Sequence, residues 1–146
     1  MLAVLVGSAM PAQAELLGTL LESYGTCYAR HYDEAHLAGH PGQRVTAISL
    51  SHTAEPHPDH ELVLDFGFVL RNGNHYTANV HCRNARCSVE GDGGNFTVSE
   101  TGDGLRIDVG DFLALEGWTD WSGDLAESDD KAFLIFPAPP RACRFE

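Results

Sequence analysis

The chain contains eight histidines and four cysteines, whose side chains can bind metal ions or form disulfides. Three of the histidines, His52, His57 and His60, fall in one stretch with Glu55 and Asp59. Neutral imidazole binds Zn²⁺ and Cu²⁺ well, and carboxylates can complete the ligand set. Their spacing matches no zinc motif, and prolines interrupt it. The stretch therefore predicts either a Zn²⁺ or Cu²⁺ site or a surface cluster of histidines without a ligand.

A second group of three histidines surrounds a predicted short helix: His31, His36 and His40. Asp33 is a typical N-cap for this helix, and Gly39 is a typical end. The early end removes the regular turn that would align His36 with His40. We expect a structural role for these residues, unless the two histidine groups meet in the fold.

Two tryptophans lie in a turn-rich segment, residues 117–124. Trp is a favoured anchor of protein interfaces, and neighbouring carboxylates suit a basic partner. The predicted partner-binding residues are therefore Trp118, Asp120, Trp121 and Asp124. The competing and commoner interpretation is that one or both tryptophans close the open end of the fold.

The net charge of −12 is concentrated in residues 90–131, which hold twelve acidic residues and two basic ones, a net charge of −10. Such a field repels nucleic acid and anionic lipid, and it accelerates association with a cationic protein. A charged surface that only keeps the protein in solution is the commoner explanation.

The first residues predict export. Residues 2–10 are an apolar run too short to span a bilayer, and Ala12-Gln13-Ala14 is a typical cleavage sequence. We therefore expect a signal peptide at residues 1–14 and a single domain at 15–146, periplasmic or secreted, with no membrane span. Because the first basic residue is Arg30, the alternatives are a start upstream of Met1 or an ordinary apolar helix.

Alternating apolar residues predict a strand at 62–70 and its partner at 76–82. Residues that face each other across an antiparallel pair must point to the same side of the sheet. A loop of residues 72–74 satisfies this rule by setting Leu70 opposite Tyr76. The same register places His81 beside Asp65 on the outer face.

The pairing of the four cysteines follows from the next predicted hairpin. A loop of residues 83–86 sets Cys82 opposite Cys87, within bonding distance, and leaves Cys27 to pair with Cys143. No Cys-x-x-Cys sequence or second close pair indicates redox or metal chemistry. We expect both disulfides to be structural.

Five further strands are predicted, at 45–50, 96–98, 107–109, 112–115 and 132–136. The fold class is therefore all-β: a small antiparallel meander of about eight strands, barrel or sandwich, with a short N-terminal helical segment and two disulfides.

No Gly-x-Ser-x-Gly elbow or comparable nucleophile accompanies the predicted pair of His81 and Asp65, so we predict a protein that is not an enzyme. An exported, acidic, disulfide-bonded barrel resembles the small periplasmic inhibitors of lysozymes and of secreted metalloproteases. The resemblance is one of architecture and charge over the strand region. It implies an inhibitor-like binding module with a basic protein as partner; the alternative is a periplasmic metal-binding protein that uses His52, His57 and His60.

Overall fold

The computed structural model describes residues 25–52 and 62–145. In this part of the chain eight antiparallel strands pair in sequence order, and the last pairs with the first to close a barrel. The strands are β1 (Cys27–His31), β2 (Val45–His52), β3 (Leu62–Leu70), β4 (His75–Arg83), β5 (Arg86–Val89), β6 (Gly94–Thr101), β7 (Gly104–Leu113) and β8 (Ala132–Ala138). A helix, α1 (Glu34–Gly39), joins β1 to β2, and 3₁₀ turns follow at Leu125–Glu127 and Pro140–Cys143.

The predicted fold class is confirmed in its closed form, a barrel and not a sandwich. Helix α1 begins as expected, because the Asp33 carboxylate accepts a hydrogen bond of 2.7 Å from the His36 backbone N–H. The predicted signal peptide at 1–14 lies outside the described residues. So do His57 and His60, in a separate range of the chain. No helix in the two described ranges is long and apolar enough to cross a membrane.

Two strand predictions were wrong although the number of strands was right. Strand β1 was not predicted, because its first three residues are all buried and therefore show no alternation. The two strands predicted on either side of Gly110 are one continuous strand, β7. The predicted pairing of Phe96 with Val109 and of Val98 with Ile107 is confirmed.

The register of β3 with β4 differs by two residues from the prediction. Phe68, and not Leu70, lies opposite Tyr76. The loop has three residues as expected, but they are residues 71–73: the Leu70 N–H donates to the Asn74 carbonyl at 2.9 Å. Gly73 takes the left-handed conformation, with φ +86°. Every inward residue still points inward, because a shift of two residues preserves the face of each side chain.

The hairpin of β4 and β5 sets Cys82 opposite Cys87, and both predicted disulfides are present. The turn is tighter than expected, because Arg83 pairs with Arg86 and only Asn84 and Ala85 remain in the loop. Both loop residues have positive φ, of 50° and 67°. This is the backbone of a two-residue type I′ turn, whose twist matches that of the strands.

The barrel is filled by large apolar side chains, among which Phe66, Phe68, Phe96 and Phe133 are almost fully buried. Part of its outer wall is covered as well. The C-terminal residues lie over β3, where Phe145 approaches Gly67 so closely that a Cβ there would be 3.2 Å from its ring. The Cys27–Cys143 disulfide holds this covering segment, with a Cα–Cα distance of 6.0 Å. Two disulfides are the usual mark of a protein that folds in an oxidising compartment.

Candidate functional site

Residues 115–122 form a short β-hairpin, here called the tryptophan hairpin. Its two arms are joined by three backbone contacts: Ser122 N–H to Leu115 carbonyl at 2.9 Å, a β-bridge between Glu116 and Trp121, and Gly117 N–H to Asp120 carbonyl at 2.6 Å. Trp118 and Thr119 are left at its tip. The sequence predicts a turn here but no hairpin, because the arms are too short to show a period of two.

The tryptophan hairpin is stabilised by contacts within itself and with the barrel. Within the hairpin, the Ser122 hydroxyl accepts a hydrogen bond of 3.0 Å from the Leu115 N–H. From the barrel, the Tyr76 hydroxyl of β4 donates to the Asp120 carboxylate at 3.2 Å. Gly117 lies against the ring of Tyr76, so a Cβ at this position would be 2.9 Å from the ring. The hairpin is therefore held in one orientation by contacts at both arms.

Tyr76 is buried, and its surroundings favour the neutral hydroxyl that donates to Asp120. Burial raises the pKa of Tyr76, and the hydrogen bond and charge of Asp120 raise it further, against opposing contributions of Asn74 and Arg44. The hydroxyl consequently remains a donor throughout the physiological pH range. It keeps Asp120 in place at the side of the tryptophan hairpin.

Both tryptophans are exposed, which contradicts the interpretation that they close the barrel end. Trp118 has 101% of its reference surface in contact with solvent, and Trp121 has 55%. Trp121 has a ring neighbour, Phe112, at a centroid distance of 6.3 Å. The apolar residues that are buried near these tryptophans in the sequence are Leu113, Leu115 and Leu125, each with 1% exposure or less.

The two predicted acidic contact residues have different surroundings. Asp120 is exposed beside the tip. Asp124 is half-buried, and one carboxylate oxygen accepts hydrogen bonds of 2.9 Å from the N–H groups of Leu113 and Ala126. Asp124 therefore caps a 3₁₀ turn below the tryptophan hairpin, and its part in partner binding stays a prediction.

A cleft opens between the tryptophan hairpin and the start of β4. It has a volume of about 330 Å³ and is lined by His75, Tyr76, Thr77, Glu116, Gly117 and Trp118. The sequence does not predict a site at His75, Tyr76, Thr77 or Glu116, because only the folding of the hairpin onto the barrel brings them together. No spacing in the sequence records this contact.

Among the described residues, His52 does not meet the second histidine group. His31 pairs with Ala47, whereas His52 is the last residue of β2, roughly 17 Å farther along the strand. Helix α1 ends at Gly39, and His40 directly follows it. The rings of His36 and His40 stack on each other at a centroid distance of 4.1 Å. Their parallel planes do not direct two nitrogens at one ion.

Of the predicted metal ligands, only His52 lies in the described residues. Its Nδ1 is buried and has no hydrogen-bond partner among the described residues. Within residues 25–52 and 62–145 there is no group of three His, Cys, Asp or Glu residues placed to hold a metal ion. The Zn²⁺ or Cu²⁺ site stays a prediction.

The predicted pair of His81 and Asp65 is wrong, as a result of the shifted register. His81 lies opposite Val63, and its Nε2 is 2.8 Å from the carboxylate of Glu90. Asp65 lies opposite Asn79 and lines a different cavity, beside the Cys27–Cys143 disulfide. Partial desolvation raises the pKa of Asp65, and the charge of His52 lowers it by a smaller amount.

The fold and the site together define a closed antiparallel barrel from which a rigid hairpin projects an exposed tryptophan. No protein-family model matches this chain, and no curated protein or solved structure matches it significantly.

Proposed function

We propose that this protein is a non-enzymatic, exported binding module of the inhibitor-like kind, periplasmic or secreted, which binds a cationic protein through the tryptophan hairpin. The observation that carries the proposal is the complete exposure of Trp118 at the tip of a hydrogen-bonded hairpin. Burial of a Trp removes roughly 150–250 Å² from water, worth about 4–6 kcal/mol at 25 cal/mol per Å². In the free protein the Trp118 side chain stays in water. A partner that covers it would gain part of this free energy, because association also costs translational, rotational and side-chain entropy.

The rigidity of the tryptophan hairpin also favours binding. Association must order the groups that form an interface, and a loop already held in its bound shape reduces this cost. Here the contacts of Ser122 with Leu115 and of Tyr76 with Asp120 provide that order in the free protein. A narrow projecting hairpin is shaped to enter a concave surface, such as the cleft of an enzyme.

Charge supports a basic partner. Glu116, Asp120 and Asp111 are exposed in or near the tryptophan hairpin, and residues 107–130 contain no Lys or Arg. Arg44 reaches the base of the hairpin, where its guanidinium donates to the Ser122 carbonyl. An acidic surface of this kind raises the association rate with a cationic protein and makes it sensitive to salt.

The test is binding of a basic lysozyme, measured by biolayer interferometry at 50 mM and 300 mM NaCl together with lysozyme activity. We expect a complex that weakens at the higher salt concentration and loses at least about 30-fold in affinity with Trp118→Ala, as for an interface hot spot. Thr119→Ala, at the other tip position, is the matched control and should bind like the wild type. Trp118→Ala should leave the free energy of unfolding within about 0.5 kcal/mol of the wild type.

The same experiment can exclude this partner. If neither a salt-sensitive complex nor inhibition is seen at 50 mM NaCl, lysozyme is not the partner. A complex that Trp118→Ala and Thr119→Ala weaken equally would show that the tryptophan side chain is not the anchor.

A further inference from the structure

The cleft beside the tryptophan hairpin combines two chemistries that recognise the same kind of group. The side chain of Trp118 is wholly exposed, so a face of its ring is open to a ligand. Glu116, also exposed, contributes a carboxylate to the same cleft. An aromatic face attracts a cation through its quadrupole, and a carboxylate attracts it through charge and hydrogen bonds.

Among the described residues, the cleft holds no lysine or arginine that would compete for these groups, and its one imidazole is that of His75. None of its six lining residues is Lys or Arg, and Arg44 donates to the Ser122 carbonyl without lining the cleft. The Asp120 carboxylate is adjacent, since Tyr76, which lines the cleft, donates to it at 3.2 Å. The volume of about 330 Å³ is at the lower end of ligand sites, a size suited to one side chain.

We propose that this cleft takes an arginine side chain of the partner, with the guanidinium stacked on Trp118 and paired with the Glu116 carboxylate. The planar guanidinium can use both groups at once, because it stacks on aromatic rings and donates two parallel N–H bonds to a carboxylate. A lysine ammonium is a point charge and uses them less well. The inference rests on the proposed function, and it names the group on the partner that the site recognises.

The test uses small probes, so that it does not depend on the identity of the partner. The full chain, labelled with ¹⁵N, is titrated with acetyl-arginine amide and with acetyl-citrulline amide, the neutral analogue of nearly equal shape. We expect a millimolar dissociation constant for the arginine probe, with shifts at the amides of His75, Glu116 and the Trp118 indole. The citrulline probe should bind at least about fivefold more weakly, because it lacks the charge.

Two variants separate the cleft from the general acidity of the protein. Glu116→Gln should weaken the arginine probe at least about fivefold, whereas Asp103→Asn removes an exposed carboxylate outside the cleft and should leave its affinity unchanged. Both substitutions are at exposed positions, and a retained amide spectrum shows that each variant is folded.

Three results would overturn the inference: equal binding of the arginine and citrulline probes, equal effects of the two variants, or a preference of the cleft for a neutral saccharide such as N-acetylglucosamine. Failure here is distinguishable from failure of the proposed function. If the lysozyme complex depends on Trp118 while the arginine probe causes no shifts, only the arginine site is wrong. If the probe binds as expected but no basic protein does, only the proposed partner class is wrong.

Discussion

The barrel is closed by a short pairing of its first and last strands, and one disulfide lies at this seam. Strand β1 pairs with β8 over three positions, and at one of them Tyr28 faces Pro137, which has no N–H to donate. Cys27, at the start of β1, is bonded to Cys143 in the segment that follows β8. We therefore predict that removal of this disulfide opens the barrel at the seam and destabilises it much more than removal of the hairpin disulfide.

The magnitude follows from the lengths of the two closed loops. The Cys27–Cys143 bond joins residues 116 apart in sequence, whereas the Cys82–Cys87 bond joins residues 5 apart. Each crosslink restricts the unfolded chain by an entropy that grows with the logarithm of loop length. At 25 °C the stabilisation is nearly 5 kcal/mol for the long loop and about 2 kcal/mol for the short one. The difference of about 3 kcal/mol is a large part of the 5–15 kcal/mol typical of whole domains.

The assay is equilibrium unfolding in urea of two double variants, Cys27→Ala with Cys143→Ala and Cys82→Ala with Cys87→Ala. Hydrogen exchange of the backbone amides then locates the effect, which we expect at β1 and β8 in the first variant and at β4 and β5 in the second. Hydrogen exchange remains informative if the first variant is only marginally folded. Equal losses, or a larger loss for the hairpin disulfide, would refute the reasoning from loop length.

The other predictions concern single positions. Gly94→Ala should destabilise by at least about 3 kcal/mol in urea unfolding, because at φ +90° a Cβ overlaps the Phe112 carbonyl oxygen and lies 2.5 Å from its carbon. Gly73→Ala is the matched control, because Gly73 has φ +86° but a Cβ there would have no atom within 4 Å, and it should lower the free energy of unfolding by only about 1–2 kcal/mol. Similar losses for the two variants would contradict the steric overlap as the cause of the larger effect. Asp65→Asn should stabilise at pH 7 by less than about 1 kcal/mol, because the raised pKa of this carboxyl means that its ionised form disfavours folding. This gain in stability should shrink as the pH falls through the folded-state pKa of Asp65 towards the ordinary pKa of an Asp, because the folded and the unfolded state then both hold the proton. A gain that grows on acidification would show that the pKa of Asp65 is lowered and not raised.

Local rules predicted those parts of the fold in which the partners are close in sequence. The Cys82–Cys87 hairpin follows from parity and a short loop, and the pairing of the remaining cysteines follows by elimination. The register of β3 with β4 shows the limit of this argument. Parity distinguishes odd shifts from even ones, so a displacement of two residues, which moved His81 away from Asp65, was invisible to it.

Strand β1 was missed for a different reason, which lies in the burial of both its faces. The C-terminal segment covers the outer wall of the barrel, so Cys27, Tyr28 and Ala29 are all buried and do not alternate. A chain segment that arrives from more than a hundred residues away leaves no periodic signal in the strand that it covers.

The sequence by itself determined the antiparallel meander, the two disulfides and the acidity of residues 90–131, because these depend on neighbouring residues and on composition. The tertiary structure alone decided the closure of the barrel, the cleft between the tryptophan hairpin and β4, and the exposure of Trp118. Whether a large aromatic side chain is buried or exposed depends on what the rest of the chain places against it. In this fold the core is already filled by other apolar residues, and Trp118 remains at the tip of its hairpin, open to a partner.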